Sequence, residues 1–580
     1  MGGICGWVAA GAGSPGSAPG PLREPIVGAL AHRGEISWLD SSLAGPCVVV
    51  DSAFNTVDAA KAAWESCSGQ PAAFASRLEG SFAAAALDRR SGRLVLARDR
   101  LGEKPLYYAA SPAGVAFASE IKALRGAAGT VALPSLSILP VAVDAYLAFT
   151  YVPAPWTIFE QVRKVPAGHA VVFDLREPGA EEAIRYWSLP ERSGEEPAPA
   201  RMMEVLREAL GRRLPPAGSV GCFLSGGLDS SVVAALMARE GLVRFPAFSI
   251  GFGEPDLDES AHARRVAELV GADHHLIRLR DVEPEMVSPV IAQLDEPMAD
   301  AAAIPTWVLA REAAGSARVV MTGDGADALL AGDHWFRRLR RLDALERLPG
   351  PVRFLPGLLG ARWRELIALL DLAPAARYLR IREKWTTAQR HAIYTPEFRR
   401  RVDVAATEAT YVRAPVEWRA GGSVDAAVRL DSIHGLPEDL LMKADKMGMA
   451  HGVESRSPFL DQGFVEWAAR LDIGMLVRGA ASKYLLKKGA ESLLPRDLIY
   501  RRKHGFQVPV ARWLAGPLRP LTEAAFDPAL AGPQGIFDPA ALTLLKSRFE
   551  RGSPPTAALA GQVWQIVAFQ TWWRGAFEGR

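Results

Sequence analysis

The chain reads as a two-part α/β protein, a hairpin-rich sheet region followed by a parallel sheet covered by helices. Three observations predict this. Residues 1 to about 125 carry short alternating runs such as Ser81–Asp88 and Arg93–Arg98, broken by Gly and Asp turns. From Met202 onward, helical periodicity alternates with short apolar runs at Val220–Leu224, Phe245–Ile250 and Val319–Thr322, as expected for parallel strands buried on both faces. At 580 residues the chain is too long for one core.

The elements fall in order. The hairpin region passes into a connecting segment with a strand-like run at Ala170–Phe173, and the Glu/Pro/Gly stretch Pro190–Pro199 is the best linker. This divides the chain into residues 1–190 and 201–580. Beyond Asp333 the pattern is mostly helical, with no internal repeat. A hydrophobic content of 49% and a charged content of 23% are globular values. A net charge of +2 gives no polyelectrolyte argument for nucleic acid or an anionic membrane. No apolar run reaches membrane-spanning length and no signal peptide opens the chain. Cys5, Cys47, Cys67 and Cys222 lack metal spacing and suit a reduced cytoplasm.

The most informative run is Ser225-Gly226-Gly227-Leu228-Asp229-Ser230-Ser231, set between the apolar strand ending at Leu224 and the apolar run Val232–Met237. Strand, glycine turn and helix form a phosphate cradle. The glycines admit close approach, Ser225, Ser230 and Ser231 offer hydroxyls, and the helix start supplies partial positive charge. Asp229 belongs beside a phosphate only if a divalent cation sits between them. The Walker pattern is absent. The loop is therefore expected to hold the pyrophosphate of ATP with Mg²⁺.

Ligands in open α/β sheets sit beyond the carboxyl ends of strands. Ser249 and Ile250 end the second strand, where the backbone is placed to meet an adenine edge. After the third comes Gly323-Asp324-Gly325-Ala326-Asp327, a second glycine turn with two carboxylates. Asp229 and Asp327 together form the sparse carboxylate set Mg²⁺ prefers. The bland alternative for Asp327 is a helix N-cap.

The ordered motifs SGGLDSS, FSIGFG, Asp258-Glu259-Ser260, DEPMADAAAIPTW, GDGAD, LPEDLLMKADKMGMAHGVESRSPFLD, SKYLLKK and RRKHGFQVP resemble the synthetase domain of the asparagine synthetase B family, over Met202 to Leu514. LEGSFAAAALD, LARDRLGEKPLYY and FASEIKAL resemble that family's glutaminase half. The resemblance implies an N-terminal-nucleophile-like sandwich, here a degenerate glutaminase, followed by a PP-loop synthetase domain like the adenine nucleotide α-hydrolases. It also implies ATP-dependent carboxylate activation through an acyl-adenylate, with an amine nitrogen as the attacking group. Glu454 matches the family's essential glutamate, suited to receive the proton of the attacking nitrogen. Lys503 matches the lysine that stabilises charge on the acyl oxygen and phosphate. Asp445 and Lys446 are expected to support the same pocket. The alternatives are a Glu454–Arg456 ion pair and a solvated basic run at Arg501–Lys503.

The chain also departs from the family. Where the family opens Met-Cys-Gly, this one reads Met1-Gly2-Gly3-Ile4-Cys5, so Cys5 has no α-amine of its own to activate it. His32-Arg33-Gly34 continues as Glu35-Ile36 rather than Pro-Asp, and the glutamine-holding Asn-Gly-Glu segment has no counterpart before Leu78. Glutamine hydrolysis is therefore not expected, and Cys5 reads as a small buried residue. After Asp327 the family's Glu-Leu-Phe-Gly-Gly-Tyr becomes Ala328-Leu329-Leu330-Ala331-Gly332-Asp333.

Adenylation machinery without an ammonia supply resembles the branch that closes rings with an amine carried by the substrate. The leading expectation is a lasso peptide cyclase joining a peptide N-terminus to an Asp or Glu side chain as a macrolactam. Its partners would be a substrate bearing both carboxylate and amine, with a leader peptidase and a precursor-recognition protein. An asparagine synthetase-like enzyme fed by ammonia or another non-glutamine donor is second. A β-lactam synthetase is third, with no motif supplying a tyrosine partner to Glu454. A non-enzymatic scaffold is last. Arg337–Arg341 reads better as a solvated helix face than as a peptide contact, and Trp564, Trp572 and Trp573 better as helix packing.

Overall fold

Two antiparallel-rich sheets form the first part of the computed structural model. The structure describes residues 2–9, 20–39, 47–130, 133–177, 179, 181–216, 218–254, 256–279, 282–349, 360–412, 422–501, 508–552 and 555–578. The strands are β1 (Gly2–Ala9), β2 (Glu35–Leu39), β3 (Cys47–Ser52), β4 (Phe82–Asp88), β5 (Arg93–Arg98), β6 (Tyr107–Ser111), β7 (Gly114–Ala118), β8 (Arg163–Lys164), β9 (His169–Asp174) and β10 (Glu181–Arg185). One sheet runs β2-β1-β7-β6-β8 and the other β10-β9-β5-β4-β3.

Strand periodicity builds four layers from these residues. In β5, Leu94 and Leu96 face the partner sheet with Ile4, Val8, Phe117 and Phe173. Val95 and Ala97, one register step away, pack with Trp64 and Phe74 of the helices Val57–Ser66 and Pro71–Arg77. On the outer face of the first sheet, Cys5, Trp7 and Tyr107 join Ile26 and Ile121 in a core that continues into the C-terminal part. This helix–sheet–sheet–helix sandwich is the predicted N-terminal architecture.

The segment after residue 125 is more than a connector. Its β9 lies between β5 and β10, antiparallel to both, which closes an edge that β5 would otherwise expose. Its helix Pro140–Phe149 is buried along its length, and Tyr146 Oη donates to the carbonyl of Gln565 at 2.6 Å. The stretch 190–199 is strapped to the second part, where the amides of Ser193, Gly194 and Glu195 all donate to the carbonyl of Arg470.

The second part is built on a parallel sheet of β11 (Val220–Phe223), β12 (Pro246–Phe252), β13 (Asp273–Leu279), β14 (Val319–Met321) and β15 (Glu454–Arg456), in the order β13-β12-β11-β14-β15. The chain leaves β11 toward β12 on one side and returns through β14 on the other. The topological switch point therefore lies between β11 and β14, and their carboxyl ends flank a crevice. Among the described residues, no helix is long and apolar enough to cross a membrane.

Candidate functional site

The loop after β11 opens at this switch point. The Leu224 amide donates to the carbonyl of Phe248 at 2.8 Å, which holds the end of β11 against β12. Gly226 has φ +75°, and a Cβ there would fall 2.6 Å from the amide nitrogen of Ala263, so only glycine fits. Ser225 Oγ accepts from the Gly227 amide at 3.2 Å and lies 3.1 Å from Ser230 Oγ. The helix Leu228–Arg239 starts at Gly227 with no capping side chain and carries Asp229 in its first turn. Such a helix start is suited to an anion. Ser231 is buried in the helix body. Arg501 Nη2 donates to the carbonyl of Gly226 at 2.8 Å.

The second turn packs directly on the first. A Cβ at Gly323 would lie 2.7 Å from Asp229 Cβ and 2.9 Å from the Ser230 amide nitrogen, so the approach needs glycine. Gly325, at φ +88°, takes the N-cap of the short helix Ala326–Leu329. Asp327 therefore sits within its first turn and is not the cap. Asp324 accepts from Thr322 Oγ1 at 2.9 Å, and its carbonyl accepts from Ser457 Oγ at 2.7 Å. Burial pushes the Asp324 carboxyl above the usual range, against the hydrogen bond from Thr322.

Asp229 and Asp327 converge on a residue that motif reading passed over. Lys483 Nζ stands 2.5 Å from Asp229 Oδ2 and 2.6 Å from Asp327 Oδ1. Lys483 is buried and has φ +51° at the start of the helix Tyr484–Ala490. Its signal was the lysine in Ser482-Lys483-Tyr484, placed by the motif order but given no role. The two carboxylates thus meet at one cation position beside a cradle that a side chain would fill. These residues fit a magnesium-bound nucleotide. Among the described residues, no group of three or more His, Cys, Asp or Glu is placed to hold a metal alone. Phosphate oxygens and water would have to complete the coordination of Mg²⁺.

Glu454 opens β15 and is 3% exposed. It lines a small, water-sized cavity with Thr322, Asp324, Asp445 and Ser457 on one side, and Ser81, Glu103 and Lys104 of the sandwich on the other. Arg456 Nη2 donates to Glu454 Oε2 at 3.2 Å, so the ion pair that stood as the alternative reading of Glu454 is present. Lys104 Nζ lies 3.8 Å from Glu454 Oε1. Burial alone would raise this carboxyl, but Lys104 and Arg456 together hold it below its ordinary range. Asp445 is likewise held low, by Arg33 and Lys104 against burial. Lys446 pairs with Asp295 at 2.5 Å and does not line this cavity.

Beyond the second turn lies a further charged cluster. Lys443 pairs with Asp300 and is also held protonated by Asp439 and Asp324. Burial, then the neighbouring Asp300, push the Asp439 carboxyl up to about 7.

Other predicted residues sort differently. Ser249 Oγ donates to the carbonyl of Leu224 at 2.5 Å and lies 2.9 Å from His274 Nε2. Its hydroxyl therefore ties β12 to the loop, and the backbone of Ser249 and Ile250 lies in register with Leu276 and Ile277 of β13. Lys503 lies outside the described residues. Cys5 sits in mid-strand between Trp38 and Ala118, 0% exposed, and burial pushes its thiol up to about 12. Arg337, Arg338 and Arg341 are exposed. Trp564 and Trp572 are buried in the C-terminal helix core, and Trp573 packs against its ring neighbours.

Comparison with known proteins agrees with this arrangement. Residues 201–574 match the asparagine synthase family, and residues 62–187 match the glutamine amidotransferase domain family. A putative glutamine-hydrolyzing asparagine synthetase of Mycobacterium bovis is 31% identical over 521 residues, 86% of this chain and 76% of that protein. Asparagine synthetase 1 of Bacillus subtilis is 30% identical over 456 residues, 76% of this chain and 69% of that protein. At 25% identity, the amidase chry2 of Gibberella zeae matches 77% of this chain and 72% of its own length. With its sandwich, its parallel sheet and these matches, the chain belongs to the asparagine synthase family, ATP-dependent ligases that form carbon–nitrogen bonds.

Proposed function

We propose that the chain adenylates a substrate carboxylate at the Ser225–Ser231 loop and closes an amide ring with an amine of the same substrate. The product in the leading reading is a macrolactam between a peptide N-terminus and an Asp or Glu side chain, as in a lasso peptide cyclase. The observation that carries this reading is the contrast between two sites. The loop packs on the second turn, whose Asp324 lines the same cavity as Glu454, while Cys5 is sealed in mid-strand.

The chemistry proceeds in two steps. A carboxylate oxygen of the substrate attacks the α-phosphorus of ATP and pyrophosphate leaves. The loop amides, Ser225, Ser230 and Lys483 are placed to orient the departing phosphates. Mg²⁺, when bound, supplies charge neutralisation on those oxygens, and Asp229 and Asp327 would hold it. The amine then attacks the acyl carbon, the bond from carbon to the phosphate oxygen breaks, and AMP leaves. The proton lost by nitrogen passes to Glu454, whose neighbours keep it ionised and able to accept. Lys503 would balance charge on the acyl oxygen. Holding acid and amine in one cavity supplies effective molarity and sets ring size. A leader peptidase and a precursor-recognition protein would deliver such a peptide.

The second reading, an ammonia-fed amidotransferase, rests on the similarity to asparagine synthetases over most of the chain. Mass spectrometry of reactions containing ATP and Mg²⁺ separates the two. Loss of one water from a candidate peptide with AMP release supports ring closure, whereas asparagine formed from aspartate and ammonia overturns it.

A further inference from the structure

We propose that Lys104, a residue of the amidotransferase-type sandwich, is a positioning residue for the amide-forming step, fixing the Glu454 carboxylate from across the boundary between the two halves. This rests on the reading of Glu454 as proton acceptor and extends it to a residue of the amidotransferase-type half.

The geometry that carries the proposal begins in the run Arg98–Pro105. Asp99 caps this turn from both carboxylate oxygens. Oδ1 accepts from the amides of Leu101 and Glu103 at 3.1 and 2.9 Å, and Oδ2 accepts from the amide of Lys104 at 2.9 Å. Arg98 Nε donates to the carbonyl of Lys104 at 2.9 Å, so the lysine is gripped on both sides of its backbone. From this platform the buried ammonium reaches Asp445 Oδ1 at 3.3 Å and Glu454 Oε1 at 3.8 Å. It enters the shared cavity as the sandwich's cation.

The counterpart on the synthetase side is equally fixed. Arg33, 0% exposed, donates to Asp445 through Nη1 at 2.8 Å and Nη2 at 3.2 Å, and through Nε to the carbonyl of Gly2 at 3.1 Å. Asp51 lies beside Arg33, 3.5 Å from Nη2. Arg456 approaches Glu454 from its own strand. Among the described residues, the charged groups around Glu454 are Lys104, Glu103, Arg33 and Asp51 from the sandwich, and Arg456, Asp445 and Asp324 from the synthetase half. Arg33 is committed to Asp445 and to Glu120, whose Oε1 accepts from Nη1 at 2.9 Å, and Arg456 belongs to the same strand as Glu454. Among the described residues, Lys104 is the cation that ties the carboxylate to the sandwich. A buried carboxylate deprived of such a partner shifts toward its neutral acid, which cannot accept a proton.

The test uses the full chain labelled with ¹³C at glutamate side-chain carboxyls, with Glu454→Gln identifying the Glu454 signal. In the parent chain Glu454 titrates below the ordinary carboxylate range. In folded Lys104→Met its midpoint rises by about one pH unit or more, and Lys104→Arg restores it. Lys104→Gln, neutral but polar, is read the same way if the methionine variant does not fold. An unchanged midpoint in a folded neutral variant overturns the proposal. Amide formation by Glu454→Gln is read separately. Activity there overturns the proton-acceptor reading and leaves the measured coupling standing, so the two failures are distinguishable.

Discussion

Asp229 and Asp327 share a single ammonium, with Lys483 Nζ 2.5 Å from one carboxylate and 2.6 Å from the other. The two acids come from different turns at the ends of adjacent strands, and Lys483 from a helix 254 residues beyond Asp229. One point in the crevice thus already stabilises positive charge. Asp229 and Asp327 would hold a Mg²⁺ there, which would supply charge neutralisation beside the phosphate loop.

Asp229→Asn keeps the shape of the side chain and removes its charge. ATP–pyrophosphate exchange should fall on the order of 100-fold, with the fold intact by circular dichroism. Exchange at the parent rate would remove Asp229 from the metal-binding role.

Gly323→Ala probes the contact between the two turns. The added methyl would meet Asp229 Cβ at 2.7 Å and the Ser230 amide at 2.9 Å, so the phosphate loop must shift. Nucleotide affinity, measured by calorimetry, should weaken at least about fivefold, since overpacking costs about 1–3 kcal/mol. Unchanged affinity would mean that the loop geometry is not what binds ATP.

His434 makes acid stability a test of the core beside the site. Burial pushes its imidazole down to about 4 from the usual 6.5, against the attraction of Glu438. A depressed folded-state value means that the unfolded chain binds the proton first. The contribution is complete above pH 6.5 and is lost as pH falls toward 4, on the order of 3 kcal/mol in all. Chemical denaturation of the parent and His434→Gln between pH 4 and 8 should show a steeper acid loss in the parent. Parallel curves would contradict the burial argument.

Cys5 offers a direct check on the sandwich. In the native chain it should resist iodoacetamide, react after unfolding, and be replaceable by alanine without loss of ATP–pyrophosphate exchange. Rapid native alkylation would show a reactive thiol, contrary to its burial in mid-strand.

What was legible in the sequence was local. Ser225–Ser231 and Gly323–Asp327 announced themselves because each pairs a short apolar strand with glycines that the turn requires. β13 and β15 escaped the same reading. β13 begins Asp273-His274-His275, and β15 is the three residues Glu454-Ser455-Arg456, so neither carries an apolar run. β9 was seen as a strand but assigned to a connector, because only tertiary pairing with β5 and β10 places it in the sandwich. The roles of Lys483 and Lys104 depend on carboxylates hundreds of residues away, which no local pattern encodes.

The central claim is that the nitrogen arrives on the substrate and not from glutamine. Its most direct test supplies the purified chain with ATP, Mg²⁺, glutamine labelled with ¹⁵N in its amide, and a candidate substrate carrying both acid and amine. The account predicts AMP and an unlabelled cyclic amide, with no glutamate above background. Release of glutamate with ¹⁵N in the product would contradict it.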